Sequence, residues 1–388
     1  MNLCKSKRLK LISLAAAVIF FSFAAVAGLA GCKSADTAGA EVESTQISTE
    51  TSQETVGQTT ENITEETTAE ASQVTDEIDI ITDNINMFSG LELSDKVKNY
   101  RPLAIMVQNN PKARPHSGLI YADIVFELVA EGGITRFVTV FSSYDVDIIG
   151  PVRSARIYFA EIARSLDPIY TFWGTYPQAY EAIKNMDMDV LDANSTAYVN
   201  YTSAGWRDPS RSDALEHTAF IDTYGIREDA AKFGYSLEGG QSPMAFKLDA
   251  PASQRGDITD ISVDFSSQSY LAGFAYDKNT NEYMKSLAGE AHVDYETGRQ
   301  ISLNNVVVLI TDINGPIDSS GHMAVRTTGT HREGEAYYFM DGNVIEGTWA
   351  RAGISDPFEF HDLKGEQILF NRGSTWVCFI QGIDRLTY

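Results

Sequence analysis

The sequence predicts an α+β body, made of layered β-sheets with helices packed on one side and a strand-rich C-terminal segment, held off a membrane by a lipid anchor and an acidic tether. Three observations lead there. The amino end runs from cations through an apolar stretch to a single cysteine. A long span after it has no aromatic residue. The remaining residues alternate short apolar runs with two helical stripes and then continue as strands alone.

Residues 1–31 read as a signal segment. Met1 to Lys10 carries Lys5, Lys7, Arg8 and Lys10 and no acid, and Leu11 to Ala30 is apolar and small apart from Ser13 and Ser22. This charged-then-apolar order is that of a secretory signal. Leu29-Ala30-Gly31-Cys32 resembles a lipobox, which makes Cys32 the lipidation point. The alternative is an uncleaved membrane helix, since about 20 apolar residues span a bilayer. Both readings put the body on the extracytoplasmic face of the cell membrane, because the cations stay with the cytoplasm. Acyl chains contribute about 0.8 kcal/mol per buried methylene, so two or more anchor firmly.

Residues 32–95 read as a disordered tether. Lys33 to Asp83 holds thirteen acids and one base, and no aromatic appears between Cys32 and Met87. Such a stretch buries too little apolar surface to offset the entropy of ordering. A flexible chain of this length reaches roughly 40 Å. The whole chain has a net charge of −23, and the part beyond the tether stays acidic, which argues against nucleic acid as a partner. Of the three cysteines, Cys4 lies in the signal and Cys32 at the anchor, so Cys378 has no disulfide partner and reads as a small buried residue.

Two sequence segments follow, 96–245 and 257–388, with the polar, Gly-containing stretch Gly239 to Gly256 as the seam. In the first, Pro102–Val107, Ala122–Val129 and Thr135–Phe141 are short apolar runs between turn residues and read as strands. Ser154–Leu166 reads as a helix with Ser154 as N-cap, since Phe159, Ile162, Ala163 and Leu166 fall on one stripe. Ile169–Trp173 reads as a strand, and Pro177–Asn185 as a helix with Pro in its first turn. In the second segment, Asn305–Thr311 and Trp376–Gln381 read as strands, and Ala336–Met340 with Asn343–Trp349 as a hairpin around Asp341-Gly342.

Several catalytic signatures are absent. There is no Gly-rich phosphate loop and no G-x-S-x-G elbow, and the six histidines show no pair at metal-ligand spacing. Neither a cofactor nor a metal is therefore expected. Clustered arginines do stand out: Arg114 before the second strand, Arg136 after the Gly132-Gly133 turn, Arg153 and Arg156 with Ser154 at a helix start, and Arg207, Arg211 and His217 in a later loop. Arginine forks bind carboxylate or phosphate in bidentate fashion. Helix N-termini favour anions as well. The competing reading is that these arginines pair with Asp123, Glu127, Glu131 and Glu161 and hold loops. Gly132-Gly133 reads as a turn that needs positive φ.

Arg101 to Met106, Asn110 to Pro115, Ala122 to Glu127, Glu131 to Phe137 and Gly150 to Arg156 strongly resemble the YerB-like lipoprotein family, a domain of unknown function in bacterial envelope lipoproteins. Asn305 to Val308, Ile345 to Trp349 and Asn371 to Val377 resemble its second segment. The resemblance implies an α+β body in two sequence segments and no established activity. The family's Pro-His-Asn near the later loop is replaced by Glu216-His217-Thr218, which weakens a role built on His217.

Three functions remain open. The first is a binding module holding an anionic envelope ligand through the arginines. The second is a structural partner of another envelope protein. The third is an envelope transferase or hydrolase with Asp123 or Glu127 as general base, an idea resting on fold-level likeness to enzymes that move glycopolymers from lipid carriers. The anchor itself is testable. Cells fed a labelled fatty acid should label the wild-type chain, while Cys32→Ser should stay unlabelled and uncleaved; equal labelling would remove Cys32 as the lipidation point.

Overall fold

The computed structural model describes residues 80–388, apart from residue 213 and the side chains of 330–333. The expected signal segment, Cys32 and the tether as far as residue 79 lie outside the described residues.

Eleven strands make the main sheet: β1 Leu103–Gln108, β2 Ile124–Glu131, β3 Ile134–Phe141, β4 Ile169–Phe172, β5 Asp189–Asp192, β6 Asn200–Tyr201, β7 Asn305–Ile310, β8 Gly329–Met340, β9 Asn343–Arg351, β10 Glu359–Asp362 and β11 Thr375–Ile380. Their order is β10-β9-β8-β7-β11-β2-β3-β1-β4-β5-β6. The first six come from the amino-terminal segment and the last five from the carboxyl-terminal one. The two groups meet where β11 pairs in parallel with β2, Trp376 opposite Val125 and Cys378 opposite Glu127. Both central strands are buried on both faces, which explains their near-continuous apolar sequence. Residues of both segments share one buried apolar core, from Phe126 and Phe137 to Trp349 and Trp376.

The strands expected from apolar runs appear within two residues at most ends, β8 excepted, which begins at Gly329 rather than Ala336. Asp341 and Gly342 form the hairpin turn with φ of 54° and 67°, and Gly132 and Gly133 also take positive φ. The chain is mixed α+β and strand-rich. Three α-helices occur among the described residues, α1 Ile157–Arg164, α2 Pro177–Lys184 and α3 Thr223–Lys232, all in the amino-terminal segment. A second sheet is built from Asp260–Asp264, Leu271–Asp277 and Glu282–Leu287 with short edge strands.

Two expectations need correction. First, α1 begins at Ile157, and Ser154 is not its N-cap. The cap position is Arg156, in extended conformation and with no side-chain cap bond. Residues 152–155 cannot join the helix because their backbone is already committed: Val152 N–H donates to Ala219, Arg153 N–H to Met106 and Ala155 N–H to Gly174. The buried stripe of Phe159, Ile162, Ala163 and Leu166 is as expected. Second, residues 80–95 belong to the folded body and not to the tether. Ile80–Ile81 pairs with Phe246–Lys247, Phe88 is fully buried, and the Asn86 carboxamide accepts from the Phe88 and Ser89 amides while donating to Lys98 and Ser142. One buried aromatic and one satisfied amide outweigh the polar composition around them. Within the seam, Phe246–Lys247 pairs with Phe370–Asn371 as well.

Glu127 ties these parts together. Its fully buried carboxylate accepts from Thr135 Oγ1 (2.8 Å), Asn109 Nδ2 (3.2 Å) and Trp376 Nε1 (2.9 Å). Lys285 Nζ, from the second sheet, lies 3.8 Å away. Burial holds the Lys285 ammonium below the usual lysine range, with Glu127 opposing that shift. The ammonium also lies over the Phe274 and Trp376 rings. Removing one member of a buried charged network leaves the other uncompensated, so Glu127→Ala should cost about 3–5 kcal/mol in denaturant unfolding; a loss below 1 kcal/mol would contradict this role.

Asp123 is likewise buried, and its carboxylate accepts from the Ser142 and Ser143 amides at 2.6 and 3.0 Å. Burial raises its pKa to about 6 against these bonds. The protonated form is therefore favoured by folding. The resulting stabilisation is complete below the ordinary carboxyl pKa and is lost as pH rises through about 6. Relative to Asp123→Asn, wild type should lose about 2 kcal/mol of unfolding free energy between pH 4 and pH 6; parallel pH profiles would count against it.

Candidate functional site

The segment from Gly150 to Arg156 runs extended along the ends of β1 and β4. It bridges Val107 through Val152, and Trp173 N–H donates to the Arg153 carbonyl. Val152 and Ala155 are buried, while Arg153, Ser154 and Arg156 stay part-exposed on the wall of a cavity of about 480 Å³. This volume suits a small ligand. The opposite wall comes from Trp173, Gly174, Thr175 and Tyr176 after β4, with Asn194, and from Arg207, Leu215 and Glu216. Asp192 holds that wall by accepting from the Gly174 and Asn194 amides at 2.7 and 2.8 Å. His322 closes the cavity from a loop far along the chain.

The eight ligand-site candidates separate into two groups. Arg153, Ser154, Arg156 and Arg207 line the cavity. Arg136 sits buried behind it, donating to the Ser154 carbonyl at 2.8 Å and ion-paired with Glu131. Its burial, with Arg156 nearby, pushes its pKa down to about 9 against the pull of Glu131.

Arg114, Arg211 and His217 lie outside the cavity. Arg114 donates to Asn109 Oδ1 (3.0 Å) and to the Ser269 carbonyl (2.8 Å), tying its loop to the second sheet. Arg211 is stacked 3.6 Å over Tyr295 and paired with Glu296 at 3.2 Å. Gln108 Nε2 donates to the Glu216 carbonyl, which leaves Gln108 Oε1 to accept from His217 Nδ1 at 2.8 Å. Burial lowers the His217 pKa. These three hold structure, through Asn109, Ser269, Glu296 and Gln108 and not through the expected Asp123, Glu127, Glu131 or Glu161. Asp123 and Glu127 do not line the cavity either. Both are buried and hydrogen-bonded within the body, away from the cavity, so neither is placed to act as a base there.

The cavity arginines are unequally engaged. Arg156 donates to Glu131 at 3.1 Å and to the Ala155 carbonyl at 2.7 Å. Arg207 donates to the Leu215 carbonyl and lies 4.6 Å over the Trp173 ring. The Arg153 guanidinium has no hydrogen-bond or ion-pair partner among the described residues. Its charge depresses the pKa of Arg136 and Arg207, although burial is the larger cause in both. Glu216 is the one acid among the described lining residues, and it is exposed. Like charges clustered around one unsatisfied guanidinium give this wall of the cavity a positive lining.

Sequence reasoning missed Trp173, Tyr176, Asn194 and His322. Trp173 and Tyr176 lie at and just after the end of a strand it located, and Asn194 follows β5, which it did not read as a strand; nothing local marks any of the three. His322 arrives through the Gly132-Gly133 turn: Gly132 N–H donates to the Gly321 carbonyl, and Glu131 bridges to His322.

The chain is 30% identical over 299 residues to Putative lipoprotein YerB of Bacillus subtilis (strain 168), covering 76% of this chain and 86% of that protein. Its fold is similar to the crystal structure of YerB protein from Bacillus subtilis, with a TM-score of 0.66 at 29% identity over 78% of this chain and 98% of that one. Residues 88–236 match the N-terminal domain, and residues 261–377 the C-terminal domain, of the family described as Protein of unknown function (DUF3048). With both of its domains matched in order on one shared sheet, the chain belongs to the DUF3048 family.

Proposed function

We propose that this chain is an extracytoplasmic lipoprotein, anchored to the cell membrane through Cys32, whose arginine cavity binds an anionic ligand of the cell envelope. The single observation carrying the binding reading is Arg153: a part-buried guanidinium beside two others, with no acid or carbonyl partner among the described residues. Part-buried cations are ordinarily paired, and here the missing partner is best supplied by a ligand.

The shape of the cavity supports a ligand with an anionic head and an apolar body. Trp173 and Tyr176 line it beside the arginines, and Leu215 at its edge is 66% exposed. Thr175 and Asn194 add neutral donors. Anchorage is supported by the charged-then-apolar amino terminus ending at Cys32 and by the lipoprotein name of the Bacillus subtilis relative.

Because Arg153 holds nothing in the fold, Arg153→Ala should change unfolding stability by less than about 0.5 kcal/mol. Inorganic diphosphate at about 100 times its dissociation constant should stabilise wild type by roughly 2.7 kcal/mol. In thermal unfolding, wild type should shift upward with diphosphate and Arg153→Ala should not. Arg114→Ala, outside the cavity, should lose stability yet keep the shift. An equal shift in wild type and Arg153→Ala would remove the cavity as the binding site.

A further inference from the structure

We propose that His322, oriented by Asp318, is the general base for hydrolysis of a phosphoanhydride bound in the arginine cavity. This rests on the anion-binding reading above and adds a reaction to it.

His322 Nδ1 lies 2.7 Å from Asp318 Oδ2. A carboxylate oxygen only accepts, so in the neutral imidazole Nδ1 carries the hydrogen and Nε2 has the lone pair. Nε2 has no hydrogen-bond partner among the described residues. The hydrogen bond from His322 holds the Asp318 carboxyl below the usual range, so it stays ionised. An imidazole held by a carboxylate, with its second nitrogen free, is the arrangement that takes a proton from an attacking oxygen.

The ring is fixed rather than adrift. It stacks on Tyr176 at 4.9 Å between centroids, tilted by 22°. The Arg156 guanidinium lies over the same Tyr176 ring at 5.8 Å, so one aromatic side chain contacts both the base and an anion-binding group. The loop is pinned at both ends: Asp318 Oδ1 accepts from the Ser320 and His322 amides, and the His322 carbonyl accepts from Ile317. On the other side, Gly321 and His322 are bonded to the β2–β3 turn at Glu131 and Gly132.

The step balances with water as the only co-reactant. A water oxygen forms a bond to the phosphorus held by Arg153, Arg156 and Arg207, and its proton passes to His322 Nε2. The bond from phosphorus to the bridging oxygen breaks, and the leaving phosphate departs as an anion against the guanidiniums. The imidazolium then gives its proton to solvent. A base alone suffices for this substrate class, because a leaving phosphate needs no proton whereas an alkoxide would.

The test uses the full chain purified from membranes in detergent, in magnesium-containing buffer, with inorganic diphosphate and farnesyl diphosphate as probes. Binding is read by calorimetry and turnover by phosphate release. Wild type should bind and release phosphate. His322→Gln should bind with a Kd within about twofold of wild type while kcat falls by about 100-fold or more. Asp318→Asn should likewise lower kcat and leave Kd unchanged, a split that a merely structural role would not produce. Binding without phosphate release from either probe, or equal kcat in wild type and His322→Gln, would overturn the proposal and leave the binding reading standing. Absence of binding by wild type would overturn both.

Discussion

A buried carboxylate in the middle of the main sheet governs this fold. Glu127 stands on β2 at the join between strands from two distant parts of the chain, and every group it engages comes from elsewhere: Asn109 from the loop after β1, Thr135 from β3, Trp376 from β11 and Lys285 from the second sheet. A buried charge without partners costs several kcal/mol. The site is therefore inexpensive only when all four elements are assembled, which makes it a check on correct register. A shift of β11 by one residue would turn the Trp376 indole to the other face and leave the carboxylate short of a donor.

The arrangement also accounts for a single core. The two matched family domains would each leave the edge of a hydrophobic sheet open where β11 meets β2. Pairing them covers both edges and buries Phe126, Phe137 and Trp376 together. At the amino-terminal edge of the body, Ile80 and Ile81 pair with the seam strand Phe246–Lys247, which in turn pairs with Phe370–Asn371.

The candidate site lies at the ends of the amino-terminal strands, where the sheet finishes and side chains diverge. Its electrostatics come from an uneven division of labour among the arginines. Arg136 neutralises Glu131 behind the wall, Arg114 and Arg211 hold loops through carbonyls, aromatic rings and an acid, and Arg153 is left over. An acidic chain with an excess cation in a concave site attracts anions locally while repelling them at range, so selectivity depends on fit and not on steering.

Local pattern sufficed for much of this protein. Apolar runs bounded by turn residues located the long strands, positive-φ turns at Gly132-Gly133 and Asp341-Gly342 placed two hairpins, and the stripe on α1 identified its buried face. These features are legible because backbone sterics and two- or 3.6-residue periodicity act over a few residues. The sequence also marked the segment carrying Arg153 and Arg156, and the two-segment family to which the chain belongs. Only the tertiary structure decided which charges are spent and which are free. Glu127 meets Trp376 across 249 positions, and His322 reaches the cavity from the far segment. Identical arginines in similar local sequence therefore differ in role, because partners are set by contacts between distant strands, and no local pattern encodes those.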